Sequence, residues 1–263
     1  MSASAEGTLA VVRAGQGNVG GRRRAVTLAV VSGVLISGIA IVLIPVGIVT
    51  LFRARRLYAH IAALTCRGVL RLYGIRIRVV PQTPRPFPRS QTIYISNHTS
   101  TVDLFVLVAL ALPNCRFFLS GFLRKLVPLG LISWMMGTFF TVPQDRPAER
   151  TRIFQRAERT LRRTRESVYL SPEGARISTG EIGRFNKGAF HLATNLRVPI
   201  VPFYIEIPPE SDPGRGYDAR PGVVTVHVMP AINTSNWTLD ELEKHRARVR
   251  DMFVRFHASR KPS

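Results

Sequence analysis

The sequence predicts an α/β domain built on a mixed β-sheet flanked by helices, with an N-terminal helical motif that anchors the chain in a membrane. Two patterns predict this architecture: short apolar strands alternate with helical segments from residue 75 onward, and residues 25–52 contain no charged side chain. The length of 263 residues, 46% of them hydrophobic, suits one globular domain plus an appendage. Collagen, a coiled-coil array and a wholly disordered chain are excluded.

The N-terminal region divides into a tail and an apolar segment. Residues 1–24 are rich in Gly, Ala and Ser, lack apolar periodicity and end in three arginines, which predicts a disordered basic tail. The 28 uncharged residues of 25–52 exceed the roughly 20 that cross a bilayer core as a helix. A secretory signal would be shorter and end in a small-residue cleavage site, so we expect a retained transmembrane helix or anchor.

The orientation of this segment is ambiguous, because Arg22 to Arg24 precede it and three further arginines follow within four residues. Cationic flanks favour the cytoplasmic side, so both ends are expected there. A helix bent near Gly38 or Pro45, or one that enters a single leaflet with the helix after it, satisfies this better than a simple span. We therefore expect residues 25–74 to form a membrane-associated motif and 75–263 to form a domain on the cytoplasmic face.

The domain pattern alternates between strands and helices. The predicted strands are 75–80, 92–96, 115–120, 139–142, 168–170, 200–205 and 223–228. Helices are predicted after Asp103, after Pro147 and from Gly188, and a capping box of Thr238 and Glu241 predicts the start of a last helix. Such alternation is typical of a sheet covered on both faces.

The charge balance indicates an anionic partner. Lys and Arg number 37 against 16 Asp and Glu, a formal net charge of +21, which suits phospholipid head groups, phosphorylated substrates or nucleic acid. Codon usage is a second explanation for the excess of Arg over Lys. A nucleic-acid role is disfavoured, because the sequence has no recognised nucleic-acid-binding motif and does have an apolar membrane segment. The two cysteines, Cys66 and Cys115, form no Cys/His cluster, so we expect no metal site.

A histidine and an aspartate follow the second predicted strand, in the segment 96–103, SNHTSTVD. Loops at strand ends carry function in α/β folds. Five helical steps would place His98 and Asp103 about 140° apart, so their pairing needs an irregular turn. If they pair, Asp103 orients the imidazole and His98 takes a proton from an alcohol, which makes the substrate's hydroxyl the nucleophile. The alternative is that Asp103 caps a helix and His98 is incidental.

Two further segments could bind a phosphate group. In 171–176, SPEGAR, Gly174 lets the backbone approach a ligand and Arg176 offers a two-pronged donor, with an ordinary turn as the alternative. In 185–190, FNKGAF, Lys187 stands beside the free amides of a helix start, which favour an anion. A surface lysine at a helix start is the competing explanation.

Taken in order, these blocks resemble the motifs of the glycerolipid acyltransferase family over roughly residues 54–232. The family motif N-H-x-x-x-x-D matches Asn97, His98 and Asp103. The resemblance implies that His98 is the general base and that Asp103 is its orienting partner.

The family's third motif, F-P-E-G-T-R, is similar to residues 170–176, with Ala175 in place of Thr. The Phe-x-Lys-Gly element matches residues 185–188, and the motif V-P-[IV]-[VI]-P-[VI] matches 198–203. The resemblance implies substrate-binding roles for Asn97, Arg146, Glu173, Gly174, Arg176 and Lys187.

The second family motif, G-x-x-F-x-x-R, fits less well. Gly137 and Phe140 align with it, but Pro143 stands where the Arg belongs, and Arg146 follows three residues later. If Arg146 supplies the acceptor-binding guanidinium, the loop carries an insertion of three residues, and the acceptor head group could be bulkier or differently charged.

The resemblance implies an enzyme of phospholipid biosynthesis, an O-acyltransferase that moves a fatty acyl group from a thioester to the free hydroxyl of a lysophospholipid. The expected acceptor is 1-acylglycerol 3-phosphate, which gives phosphatidic acid. Another lysolipid such as lyso-ornithine lipid is one alternative, and a catalytically idle membrane lipid-binding protein is another. The expected partners are membrane phospholipid, the acceptor, and acyl-CoA or acyl carrier protein, with no cofactor and no nucleic acid. A thioester is already activated, so no metal is required.

Two segments admit two interpretations each. The apolar stretch 122–136, which includes two basic residues, is either a membrane-surface segment that admits acyl chains or a buried core helix. Residues 146–166 hold eight arginines on a helix with one apolar stripe. Their charged face is either simply solvated, or meets anionic lipid or the phosphates of coenzyme A or an acyl carrier protein.

Overall fold

A computed structural model describes the backbone of residues 3–177, 179–214, 216 and 218–260, with side chains from residue 21 onward within those ranges. Over these residues the chain forms a seven-stranded sheet flanked by seven α-helices, which confirms the α/β prediction. The strands are β1 (Ile75–Pro81), β2 (Ile93–Ser96), β3 (Cys115–Ser120), β4 (Phe139–Thr141), β5 (Ser167–Leu170), β6 (Ile200–Glu206) and β7 (Gly222–Val228). The helices are α1 (Ala3–Val49), α2 (Arg55–Leu72), α3 (Val102–Ala109), α4 (Val127–Met135), α5 (Pro147–Thr164), α6 (Gly188–Leu196) and α7 (Leu242–Ala258).

The sheet is mixed, with strand order β1-β7-β6-β2-β5-β3-β4. The five strands β2 to β6 run parallel to one another, while β7 is antiparallel to β6 and β1 is parallel to β7. The carboxyl ends of β2 to β6 therefore meet at one edge, which we call the carboxyl edge. Since β2 lies between β5 and β6, the loops after these three strands are neighbours there.

The two faces of the sheet bury separate apolar clusters. Tyr94 and Phe117 pack with residues of α1 to α4 on one side, which we call the anchor face. Ile93 and Ile95 pack with residues of α5, α6 and α7 on the other side, which we call the far face. This alternation along β2 follows from the two-residue period of a strand and explains why all four of its residues are buried.

Helix α1 contains a segment, Gly21–Val49, that is long and apolar enough to cross a membrane, with a mean hydropathy of 2.6. Only 22% of its most apolar window is buried within the protein. The helix is continuous through Pro45 and begins at Ala3, inside the region predicted as a disordered tail. Arginine is a good helix former, so helical hydrogen bonding continues upstream through residues 22–24. Met1 and Ser2 lie outside the described residues, and the division into tail, motif and domain stays a prediction.

The segment after β3 is buried on one side and exposed on the other. Phe122, Val127 and Trp134 are exposed, whereas Ile132 and Met135 are buried against the core. One side of this segment is therefore core and the other is an apolar surface.

The predicted capping box of the last helix is wrong. Helix α7 begins at Leu242, and its N-cap residue, Glu241, makes no side-chain cap hydrogen bond. The Glu241 carboxylate instead accepts a hydrogen bond from Lys244 at 3.0 Å. The nearby ammonium group competes successfully for the oxygen that a capping box would direct at the backbone.

Candidate active site

His98 and Asp103 meet at the carboxyl end of β2. His98 Nδ1 lies 2.9 Å from Asp103 Oδ2. Irregular backbone at 97–101 brings them together, and Asp103 sits in the first turn of α3. The Asp103 side chain is 1% exposed and that of His98 is 31% exposed. The imidazole therefore keeps one edge open to a substrate while the carboxylate is shielded.

One carboxylate oxygen of Asp103 organises the whole loop. Oδ2 also accepts hydrogen bonds from the backbone N–H of Thr99 at 2.9 Å and of Ser100 at 3.0 Å. Because an ionised carboxylate only accepts, the His98 nitrogen facing it carries the proton, and Nε2 is left as the acceptor. This is the tautomer that a general base requires.

Glu173 accepts a hydrogen bond from the backbone of His98. Its Oε2 accepts from the His98 N–H at 2.6 Å, and its Oε1 accepts from the Gly183 N–H at 2.8 Å. Glu173 is 3% exposed, and this burial raises the pKa of its carboxyl group, although the two backbone hydrogen bonds oppose the shift. In return, the Ile177 N–H donates to the His98 carbonyl at 2.8 Å. The two motif loops are thus joined in both directions.

Asn97 joins the loop that carries His98 to β6. Its Nδ2 donates to the Ile205 carbonyl at 2.9 Å, and its Oδ1 accepts from the Ile205 N–H at 2.8 Å. The side chain is buried and its amide behaves like a strand partner. Asn97, like Glu173, is therefore engaged in holding the loop, and the predicted substrate contact of both residues stays a prediction.

Gly174 occupies a turn that only glycine fits well. Its φ is +72°, and a Cβ there would lie 2.6 Å from Asn186 Nδ2 and 3.3 Å from Gln144 Nε2. Asn186 Nδ2 donates to the carbonyls of Pro172 and Glu173. Gln144 belongs to the loop after β4, so that loop lies close to this turn. Sequence reasoning did not single out Gln144 or Asn186; the departure from the second motif next to Gln144 was the available signal.

The three predicted cationic residues differ in their surroundings. Arg176 is half-buried and donates to the carbonyl of Gly214. Arg146 is 63% exposed at the start of α5, 3.7 Å from Glu149. Lys187 stands at the start of α6, in an exposed ion pair with Glu243.

Only Arg176 among these three is tied to the loop that carries the dyad, within the part of the chain described. The Gly214 N–H donates to Asp212 Oδ1 at 3.1 Å, and Ser100 Oγ donates to the same oxygen at 2.7 Å. The loop after β6 therefore links Arg176 to the turn that holds His98.

A buried polar pair supports the loop from inside the sheet. The Tyr169 hydroxyl lies 2.8 Å from Ser96 Oγ, which itself donates to the Asn97 carbonyl. Burial, together with the nearby carboxylates of Asp103 and Glu173, raises the pKa of Tyr169 well above its ordinary value, so the phenol stays protonated and donates to Ser96. Sequence reasoning missed this pair because Tyr169 stands within an apolar strand.

An apolar cavity lies on the anchor face. Its lining includes Ile36, Leu104, Phe105, Phe117, Leu129 and Met136. Leu104 directly follows Asp103 on α3, so the cavity and the dyad share that helix.

The chain is similar to known acyltransferases. The acyltransferase family model matches residues 76–206. The 1-acyl-sn-glycerol-3-phosphate acyltransferase beta of Homo sapiens is 32% identical over 201 residues, which cover 72% of this chain and 68% of that protein. The 1-acyl-sn-glycerol-3-phosphate acyltransferase of Limnanthes alba is 29% identical over 226 residues, 80% of this chain and 73% of that protein.

A solved structure shares the fold. The crystal structure of the 1-acyl-sn-glycerophosphate acyltransferase PlsC from Thermotoga maritima aligns with a TM-score of 0.72 and 18% identity, covering 94% of this chain and 99% of that chain. The family model and these relatives show that the chain is an acyltransferase. The chain belongs to the glycerolipid acyltransferase family, as the motifs predicted.

Proposed function

We propose that the protein transfers a fatty acyl group from a thioester donor to the free hydroxyl of 1-acylglycerol 3-phosphate, and so makes phosphatidic acid at a membrane. The observation that carries the proposal is the 2.9 Å contact of His98 and Asp103, with the His98 side chain 31% exposed. Relatives named for this acceptor support the choice of substrate.

The reaction uses the dyad as a general base and then as a general acid. His98 Nε2 takes the proton of the acceptor hydroxyl as its oxygen attacks the thioester carbonyl, and Asp103 stabilises the imidazolium. The tetrahedral intermediate then collapses, the carbon–sulfur bond breaks, and the imidazolium returns the proton to the leaving thiolate. The products are an ester and a thiol, and the chemistry needs no cofactor besides the thioester.

Arg176 is the cation that we assign to the acceptor phosphate. It is linked through Gly214 and Asp212 to the dyad loop, whereas Arg146 is largely exposed and near Glu149. A guanidinium forks onto phosphate oxygens and so fixes the distance between the phosphate and the acceptor hydroxyl. Arg146 supplies a second, more peripheral charge.

The apolar cavity on the anchor face is the proposed acyl site. It lies beside the helix that carries Asp103, and its lining comes from α1, α2, α3, α4 and β3. Its volume of about 40 Å³ takes only a short part of a fatty acyl chain, and each methylene group buried there gains about 0.8 kcal/mol.

The protein is proposed to be membrane-bound, with its catalytic domain on the cytoplasmic face. Helix α1 exposes apolar side chains such as Val34, Ile41 and Val49, and Phe122 and Val127 extend an exposed apolar surface after β3. Basic residues on both sides of the apolar segment favour the cytoplasm.

The test is an acyl-transfer assay on the full chain in detergent, with palmitoyl-CoA and a panel of lysolipids, following thiol release and lipid product. Release that depends on 1-acylglycerol 3-phosphate is the expected result. Thiol release with another lysolipid alone would show that the proposed acceptor is wrong and that the proposed acyl-transfer reaction is right. No release with palmitoyl-CoA or palmitoyl-acyl carrier protein, from a folded protein, would contradict the proposed activity.

A further inference from the structure

Four arginines form a row along α5. Arg152, Arg156, Arg159 and Arg163 follow one another at intervals of four, three and four residues, and all are exposed. At about 100° per residue they share about 60° of the helix circumference, over a length of about 16 Å. We call these four residues the arginine stripe.

No carboxylate neutralises the arginine stripe. Across the described residues, none of its four guanidinium groups makes an ion pair or a side-chain hydrogen bond. The acidic residues of α5 are engaged elsewhere, since Glu149 pairs with Arg146 and Glu158 with Arg162. Like charges at three- and four-residue spacing destabilise a helix, so the stripe does not contribute to the fold.

The stripe lies away from the membrane helix. Helix α5 packs on the far face, whereas α1 packs on the anchor face. Because β4 and β5 are parallel, α5 must run from the carboxyl edge back along the sheet. A bilayer that holds α1 therefore does not lie along the stripe. A partner of the arginine stripe approaches it through water.

The start of the stripe is close to the carboxyl edge. Phe154, in the first turns of α5, packs so closely on Gly188 at the start of α6 that a Cβ there would lie 2.5 Å from its ring. Gln144, in the loop before α5, lies close to the Gly174 turn, because a Cβ at Gly174 would be 3.3 Å from its Nε2. A partner bound along the stripe thus has one end at the loops that surround His98.

We infer that the arginine stripe docks an acidic, water-soluble protein that delivers the acyl group as a thioester, that is, an acyl carrier protein. The inference rests on the proposed function, which requires a thioester donor. A row of four separate charges matches carboxylates spaced along a helix, whereas the phosphates of coenzyme A cluster at one end of a small molecule. The membrane is the less favoured partner because the stripe is on the far face.

The test compares two donors with a charge-reversed stripe. The Arg156→Glu/Arg159→Glu variant of the full chain is assayed in neutral detergent micelles with 1-acylglycerol 3-phosphate and either palmitoyl-acyl carrier protein or palmitoyl-CoA. The matched control is Arg248→Glu/Arg255→Glu on α7, which changes the net charge equally. Both control residues are exposed and have no ion pair among the described residues.

The expected result is a rise of about tenfold or more in KM for palmitoyl-acyl carrier protein, with palmitoyl-CoA kinetics and the control variant unchanged. An unchanged KM, an equal rise with both donors, or an equal rise in the control variant would overturn the docking surface. A wild-type protein that uses palmitoyl-CoA and not the carrier protein would overturn it while leaving the proposed function intact. A wild-type protein that acylates this acceptor from neither donor would overturn both.

Discussion

The backbone N–H of His98 donates to Glu173 Oε2 at 2.6 Å, which makes a buried carboxylate from one motif the support of the histidine from another. The two residues are 75 positions apart in the chain. A change in the Glu173 side chain should therefore reach the imidazole without any contact between Glu173 and the reacting atoms.

Removal of the base should abolish most of the activity while leaving the fold intact. For His98→Ala we expect acyl transfer to fall by about 10²–10⁴-fold, because a general base contributes about that much. Circular dichroism and detergent extraction should match the wild type, since the His98 side chain is partly exposed. Near-normal turnover would remove His98 from the mechanism.

Glu173→Gln should lower kcat more than it changes KM for the acceptor. An amide offers one oxygen where two backbone N–H groups now donate, so one donor faces an NH₂ group. Leaving a buried donor unsatisfied costs about 1–3 kcal/mol, which thermal unfolding should detect. Glu210→Gln, at an exposed carboxylate, is the control. A normal kcat in a destabilised Glu173→Gln protein would limit the residue to a structural role.

Gly174→Ala and Gly180→Ala should separate backbone strain from steric clash. Both glycines have a positive φ, +72° and +74°, so alanine costs each about 1–2 kcal/mol. A Cβ at Gly180 meets nothing within 4 Å, whereas at Gly174 it meets Asn186 and Gln144. We expect a lower melting temperature in both variants and a loss of transfer activity only in Gly174→Ala. Equal activities would show that the turn does not shape the site.

Arg176→Gln should raise KM for 1-acylglycerol 3-phosphate by about tenfold or more, since a hydrogen bond to a charged group is worth about 1.5–3 kcal/mol. Arg146→Gln should have a smaller effect, because that guanidinium is 63% exposed. Initial rates over a range of acceptor concentrations distinguish the two variants. A larger rise in KM in Arg146→Gln would show that the phosphate binds at the loop after β4 and not at Arg176.

Glu206 should make stability depend on pH. Partial burial alone would raise the pKa of Glu206, but hydrogen bonds from His227 and Arg260 lower it below its ordinary value of 4.5. A folded-state pKa that is lowered adds stability above the ordinary value, and this is lost as the pH falls through the folded-state pKa. We expect Glu206→Gln to melt at a lower temperature than wild type at neutral pH, with the gap closing below pH 4.5. A gap that stays constant with pH would contradict this assignment.

The strands and the dyad were predictable because each follows a local rule. Short apolar runs in the sequence predict the strands of the parallel core. The dyad is predicted by its place, since His98 and Asp103 directly follow the end of one such run. The supports of the site were not predictable, since no spacing indicates that Asn97 pairs with the backbone of Ile205. The position of Gln144 beside Gly174 depends likewise on how two loops meet at the carboxyl edge, which sequence spacing does not encode.

The hydrogen bonds between Asn97 and Ile205 join residues 108 positions apart, and this separation affects when the site can form during synthesis. During synthesis the histidine emerges long before β6, so the loop that carries it lacks this support until residue 205 has left the ribosome. A nascent chain that still lacks residue 205 therefore lacks one of the contacts that hold His98 in place, even after its first helix has left the ribosome.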